Sequence, residues 1–269
     1  MGETAQKVLF VNSEIYPYLP ESPIANMGRY LPQGIQERKK EIRSFMPRYG
    51  CINERRNQLH EVIRLSGMNI IIGDVDRPLV IKVASISSAR MQVYFIDNED
   101  YFRRKGVYED SDGKFFRDND ERAIFFARGV METVKKLRWA PDIIHCQGWI
   151  SQLVPAYLKK VYKGDPIFAS SKVVLSLCGD TPACAFPEDF AKKAAFGGLR
   201  EEDLKLADGM ELAETAIRYS DGIILGSKNV APELVKCAER ESLPVLPFNA
   251  ASIEDGSCAD DYNAFYEKI

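Results

Sequence analysis

The sequence predicts an α/β protein built on a doubly wound, Rossmann-like parallel sheet with a β-hairpin insertion. Two observations carry that prediction. Continuous apolar runs of strand length, such as Val8-Leu9-Phe10-Val11 and Ile223-Ile224-Leu225, lack the polar alternation of a strand with one wet face. Segments with helical apolar spacing separate them, which is the order of a sheet covered on both faces.

The elements follow in chain order. After the first run, Ile24, Met27, Leu31 and Ile35 recur at helical spacing within residues 24–38. Ile42 to Met46 reads as the next strand, closed by Pro47-Arg48-Tyr49-Gly50. The β-rich stretches Glu61–Leu65, Asn69–Ile72, Leu79–Ala84 and Met91–Ile96 are broken by Gly67, Gly73-Asp74 and Pro78, and predict a hairpin insertion followed by a strand that returns to the main sheet at Val93-Tyr94-Phe95-Ile96. Residues 97–117 read as a loop, although Tyr101, Phe102, Tyr108, Phe115 and Phe116 make it aromatic. Asp118 with Glu121 predicts a capping box for a helix over Asn119 to Leu137. Strands are then expected at 142–146, 172–177, 222–226 and 243–246, and helices at 153–162, 209–219 and 232–240. Asn249 to Ala259 reads as a linker, with Asp260 capping a last helix that carries Tyr262, Phe265, Tyr266 and Ile269. The expected organisation is a domain over 1–248 and a linker with a C-terminal helix over 249–269.

Composition narrows the function classes. A formal net charge of −3 offers no basic footprint, so nucleic acid is not an expected partner. No apolar run reaches the ~20 residues of a membrane helix, and the polar start predicts no leader, hence a cytoplasmic protein. Six scattered cysteines without a Cys-x-x-Cys pair, and two histidines, argue against a zinc site and a disulfide framework. No cofactor is expected: neither a G-x-G-x-x-G turn nor a P-loop is present. The rule that open α/β sheets bind ligands beyond the carboxyl ends of their strands selects five places. They are Asn12-Ser13-Glu14, Asp97-Asn98, Cys146 to Trp149, Cys178-Gly179-Asp180 and Ser227-Lys228.

Four segments carry a resemblance: Lys7 to Pro17, Phe45 to Gly50, Phe95-Ile96-Asp97 with Asp118 to Phe126, and Pro141 to Cys146 with Trp149 and Leu153 to Leu158. Their order and spacing resemble the glycogen and starch synthases, the ADP-glucose-using glucosyltransferases with two Rossmann-like domains. The resemblance implies the N-terminal half of that two-domain architecture, whose last helix returns to the first domain. It also implies, as candidate ligand-binding residues, Glu14, Tyr16, Asp97, Asp118, Asn119, Gln147 and Trp149.

The sequence departs from the family where the sugar nucleotide approaches. The family's Lys-Thr-Gly-Gly-Leu loop is matched by Pro20-Glu21-Ser22-Pro23-Ile24, and a following aspartate by Asn26. Its His-Cys-His-Asp-Trp reads His145-Cys146-Gln147-Gly148-Trp149, and an Ile-His-Asn segment is replaced by Leu177-Cys178-Gly179. The stretch after Arg240 is too short for the second domain. The expectation is a protein without catalytic residues of its own that binds a glucan, a sugar nucleotide such as ADP-glucose, or a protein partner or second copy. The alternative is a glucosyltransferase, ADP-glucose to α-1,4-glucan, completed by a second chain. The 97–117 aromatics are expected to be covered in part by another molecule. His145 and Trp149 also read as packed core residues, and Asp118 and Glu121 as a helix cap.

Overall fold

A computed structural model describes residues 5–254 and 257–269; the start of the chain at 1–4 and linker positions 255–256 lie outside them. The elements run β1 (Lys7–Asn12), α1 (Pro23–Glu37), β2 (Glu41–Pro47), β3 (His60–Glu61), β4 (Met68–Ile72), β5 (Val75–Ile86), β6 (Met91–Asp97), α2 (Glu99–Phe102) and α3 (Asn119–Leu137). They continue with β7 (Ile143–Gln147), α4 (Val154–Lys160), β8 (Lys172–Leu177), α5 (Phe190–Ala195), α6 (Gly209–Arg218), β9 (Gly222–Leu225), α7 (Pro232–Arg240), β10 (Val245–Leu246), α8 (Ala250–Glu254) and α9 (Cys258–Tyr266).

The strands found among the described residues form one mixed sheet in the order β10-β9-β8-β7-β1-β2-β6-β5-β3, with β4 paired to β5. From β10 to β6 every pair is parallel, and β5 with its partners is antiparallel. The connections from β1 leave in opposite directions, to β2 on one side and eventually to β7 on the other. The β1/β7 boundary is therefore the topological switch point.

Alternate residues of the central strands enter two cores, as unbroken apolar runs require. Leu9, Val11, Ile144, Cys146 and Leu175 face α3, α4 and α6. Val8, Phe10, Ile143, Val174 and Ile224 face α1 and α9, meeting Leu31, Ile35, Tyr262, Phe265 and Tyr266. The segment read as linker thus carries α8, and the last helix is part of the second core.

The start of α1 is strongly fixed. Ser22 Oγ accepts from the Ala25 N–H at 2.9 Å, and Pro23 occupies the first helical turn, where its missing N–H is least costly. At the hairpin, β4 and β5 turn through Gly73 at φ +62°.

Three further expectations need correction. The strand expected over Glu61–Leu65 is limited to His60–Glu61, because the Leu65 and Ser66 N–H groups turn back onto the Val62 carbonyl and bury Leu65. The Asp118/Glu121 capping box does not form: Asp118 Oδ2 takes Arg104 Nη2 at 2.7 Å, and Glu121 Oε2 accepts from Tyr101 OH at 2.8 Å. A guanidinium offers a carboxylate more than a backbone N–H does. Asp260 is not the cap of α9; Ser257 holds that position, and Asp260 pairs with Arg38 Nε at 2.6 Å. The loop aromatics pack largely against this chain: Tyr101 and Phe102 are buried, and Tyr108, Phe115 and Phe116 are half-buried, with Tyr108 OH 2.9 Å from Tyr49 OH, Phe115 beside Trp149 and Phe186, and Arg104 stacked over Phe116.

His145, on β7, is fully buried under α9, with Nε2 2.6 Å from Ser176 Oγ and Nδ1 2.7 Å from Tyr266 OH. Burial pushes its pKa down to about 3, so the ring is neutral in the folded protein. The unfolded chain binds the extra proton below the ordinary value of about 6.5. Stability is therefore expected to be intact above that pH and to fall by up to about 1.4 kcal/mol per pH unit on acidification toward 3. Urea unfolding across this range checks it, with His145→Gln expected to flatten the slope.

Candidate functional site

The carboxyl ends of β1, β7, β8 and β9 open into a cleft of about 1370 Å³. β1 delivers Glu14, β7 delivers Gln147, β8 delivers Ser176, Cys178 and Asp180, and β9 delivers Ser227 and Lys228. The first turns of α1 form one wall, with Glu21, Ser22 and Tyr30, and Phe248 and Tyr262 contribute rings from the C-terminal segment.

Hydrogen bonds fix the floor. Gln147 Nε2 donates to the Ile24 carbonyl at 2.7 Å, tying β7 to α1. Ser22 Oγ donates to Glu14 Oε2 at 3.0 Å, so one serine holds both the helix start and the carboxylate. Asp180 Oδ2 accepts from the Trp149 N–H at 2.9 Å. That approach needs Gly148, at φ +83°, because a Cβ there would lie 2.0 Å from Ser13 Oγ and 3.3 Å from Asp180 Oδ2.

The electrostatics are acidic. Burial pushes the Glu14 carboxyl above its ordinary range; the Ser22 hydroxyl opposes this and Asp180 adds to it. Asp180 is raised by burial as well, against the Trp149 N–H. Among the described residues neither has a salt-bridge partner, nor does Glu21. Arg38 on the rim is engaged by Asp260.

Of the seven residues selected from the sequence, Glu14 and Gln147 line this cleft. Tyr16 is half-buried beside it, with its N–H on the Ala25 carbonyl. The other four lie elsewhere. Asp97 is held by Arg48 at 2.9 Å and Lys82 at 3.0 Å. Asp118 faces Arg104, and buried Asn119 donates to the Tyr108 carbonyl while accepting from Arg122. The Trp149 ring packs among Tyr108, Phe115 and Phe186. The strand-end rule did reach Asp180 and Lys228. Tyr30 and Phe248 were missed, because helical or loop aromatics carry no strand-end signal, whereas Tyr262 was placed on the last helix returning to this face. Among the described residues no cluster of His, Cys, Asp and Glu could hold a metal ion, and no helix is long and apolar enough to cross a membrane.

The family profile of the starch synthase catalytic domain matches residues 7–244. The chain belongs to that family. A glycogen synthase of Chlorobium limicola is 34% identical over 230 residues, covering 85% of this chain and 47% of that protein. A glycogen synthase of Chlorobaculum parvum is 34% identical over 244 residues, 89% of this chain and 49% of that protein. The chain thus spans about half the length of the curated relatives it matches. Among solved structures, the catalytic domain of starch synthase IV from Arabidopsis thaliana, bound to ADP and acarbose, superposes with a TM-score of 0.73 over 91% of this chain and 51% of that one. At 15% identity this establishes a shared fold. The fold is the N-terminal half of the synthase architecture, and the cleft described above lies on its strand-end face.

Proposed function

We propose that this synthase-type half binds a saccharide in the strand-end cleft and transfers no glucose from ADP-glucose by itself. The observation that carries the reading is the start of α1. A helix N-terminus serves a phosphate through its free N–H groups and positive dipole end. Here Pro23 has no N–H, Ser22 Oγ takes the Ala25 N–H, and the Ser22 carbonyl takes that of Asn26. Glu14 and Glu21 stand where a diphosphate would bring further negative charge. A polyhydroxyl ligand, by contrast, suits carboxylates and a carboxamide as hydrogen-bond partners, with Tyr30 and Tyr262 beside them. The starch synthase relative is bound to ADP and acarbose, and only the second of these is free of phosphate.

The chain given ADP-glucose and glycogen is expected to incorporate no glucose above the buffer control. Its dissociation constant for ADP-glucose is expected at about 1 mM or weaker, the range of a few unsupported hydrogen bonds. Radiolabel incorporation and calorimetry measure the two. Sustained chain extension by the protein alone would falsify the reading.

A second reading is a glucosyltransferase whose other half comes from elsewhere. The match to only 47% of the Chlorobium limicola relative favours it. Under it, adding the C-terminal half of such a synthase produces turnover; under the first reading it does not.

A further inference from the structure

Beside the cleft lies a second, more enclosed cavity of about 210 Å³, between the end of β8 and the start of α7. The two share Cys178, Gly179, Asp180 and Asn229, so the smaller cavity adjoins the larger along this stretch. Gln152, Leu177, Val230, Ala231 and Leu234 line only the smaller one. Gln152 stands in the turn that joins β7 to α4, where its N–H bonds the Trp149 carbonyl at 3.0 Å. It is 2% exposed, and its Oε1 has no hydrogen-bond partner among the described residues. A buried acceptor left open costs free energy that a ligand's hydroxyl or N–H recovers.

The lining narrows the ligand. It holds no Lys, Arg or His among the described residues, and so offers an anion no counter-charge. Its one carboxylate, Asp180, already accepts from the Trp149 N–H at 2.9 Å, and burial disfavours its charged form. A neutral group that carries donors therefore fits better than an ion. Gln152 and Asn229 offer polar atoms to it, while Leu177, Val230 and Leu234 offer apolar surface. A pyranose ring has both characters, with hydroxyls around its rim and C–H groups on its faces. The volume of about 210 Å³ equals that of about seven waters at about 30 Å³ each, which is room for one such ring and not for two.

We propose that the small cavity takes the terminal ring of a saccharide lying in the cleft, with Gln152 Oε1 accepting from a ring hydroxyl. The protein then binds glucan ends in preference to chain interiors. The saccharide itself rests on the reading given under Proposed function; the preference for ends follows from the small cavity.

Calorimetry on the intact chain with maltotetraose and with α-cyclodextrin, a closed glucan ring without ends, tests this. Maltotetraose is expected to bind at least about ten-fold more tightly. Gln152→Met, which keeps the length of the side chain and loses the acceptor, is expected to remove that preference by weakening maltotetraose alone. Ala231→Phe, at a half-buried position that lines only the small cavity, is expected to do the same by filling it. Thermal unfolding establishes that each variant folds. α-Cyclodextrin binding as tightly as maltotetraose overturns the end pocket and leaves the saccharide reading standing. Binding of neither overturns both. A preference that survives in either folded variant shows that ends are read elsewhere and overturns the assignment to this cavity.

Discussion

Alanine at Arg122 is expected to cost on the order of 3–5 kcal/mol, a large share of a domain's net stability. The side chain is fully buried on α3, and its guanidinium forms no salt bridge among the described residues. Its carbon lies 5.1 Å from the Phe102 ring centroid, 5.4 Å from Phe116, 5.8 Å from Tyr49 and 6.0 Å from Tyr108. Nη1 donates to Asn119 Oδ1, and burial lowers the pKa. Ring faces replace a carboxylate here, and a desolvated cation over aromatic faces gains about 2 kcal/mol or more. Truncation removes that attraction, opens a cavity and leaves Asn119 short of a donor. Arg122→Lys is expected to be nearly as damaging as alanine, because a compact ammonium sheds water reluctantly and cannot lie flat between rings. Arg122→Met is expected to retain more stability, since it fills the space without a buried charge. Urea midpoints of the three variants give the order. A lysine variant as stable as wild type would sink the argument. The effect extends to the cleft: Tyr108, held by this cluster, packs on Trp149, whose N–H positions Asp180.

Arg122 also marks the limit of what the sequence reveals. The strands of the doubly wound sheet were legible because both faces are covered, so Val8 to Val11 and Ile223 to Leu225 carry unbroken apolar runs. The 97–117 aromatics advertised exposed apolar surface, since composition cannot show that Arg122 rises from α3 into their midst. The capping pattern at Asp118 was read locally, while the decisive partner, Arg104, arrives from a loop fourteen residues upstream. The site was half legible. Strand ends located Glu14, Gln147, Asp180 and Lys228, because parallel strands bring their carboxyl ends to one edge. Tyr262 has the spacing of a core residue, and it is one: at 5% exposure it packs on the sheet and still lines the cleft.

Removing residues 258–269 is expected to unfold or aggregate the protein. Tyr262, Phe265 and Tyr266 are 5%, 6% and 2% exposed. They close the core formed by Val8, Phe10, Leu31, Ile35 and Val174. Three rings at about 150–250 Å² each, and about 25 cal/mol per Å², amount to about 11–19 kcal/mol as an upper bound. That is as large as the whole net stability of an ordinary domain, about 5–15 kcal/mol. Removal also takes Tyr266 from His145 Nδ1 and strips Tyr262 from the cleft wall. Smaller changes separate packing from polarity. Phe265→Ala is expected to lose about 3 kcal/mol or more through the cavity it leaves against Gly222. Tyr266→Phe keeps the ring and removes only the hydroxyl, at about 1–2 kcal/mol. Light scattering and an apolar dye follow the truncation, and urea unfolding follows the point variants. A truncated chain that stays monomeric, binds no dye and unfolds at the wild-type midpoint would show that α1 alone suffices to cover this face of the sheet.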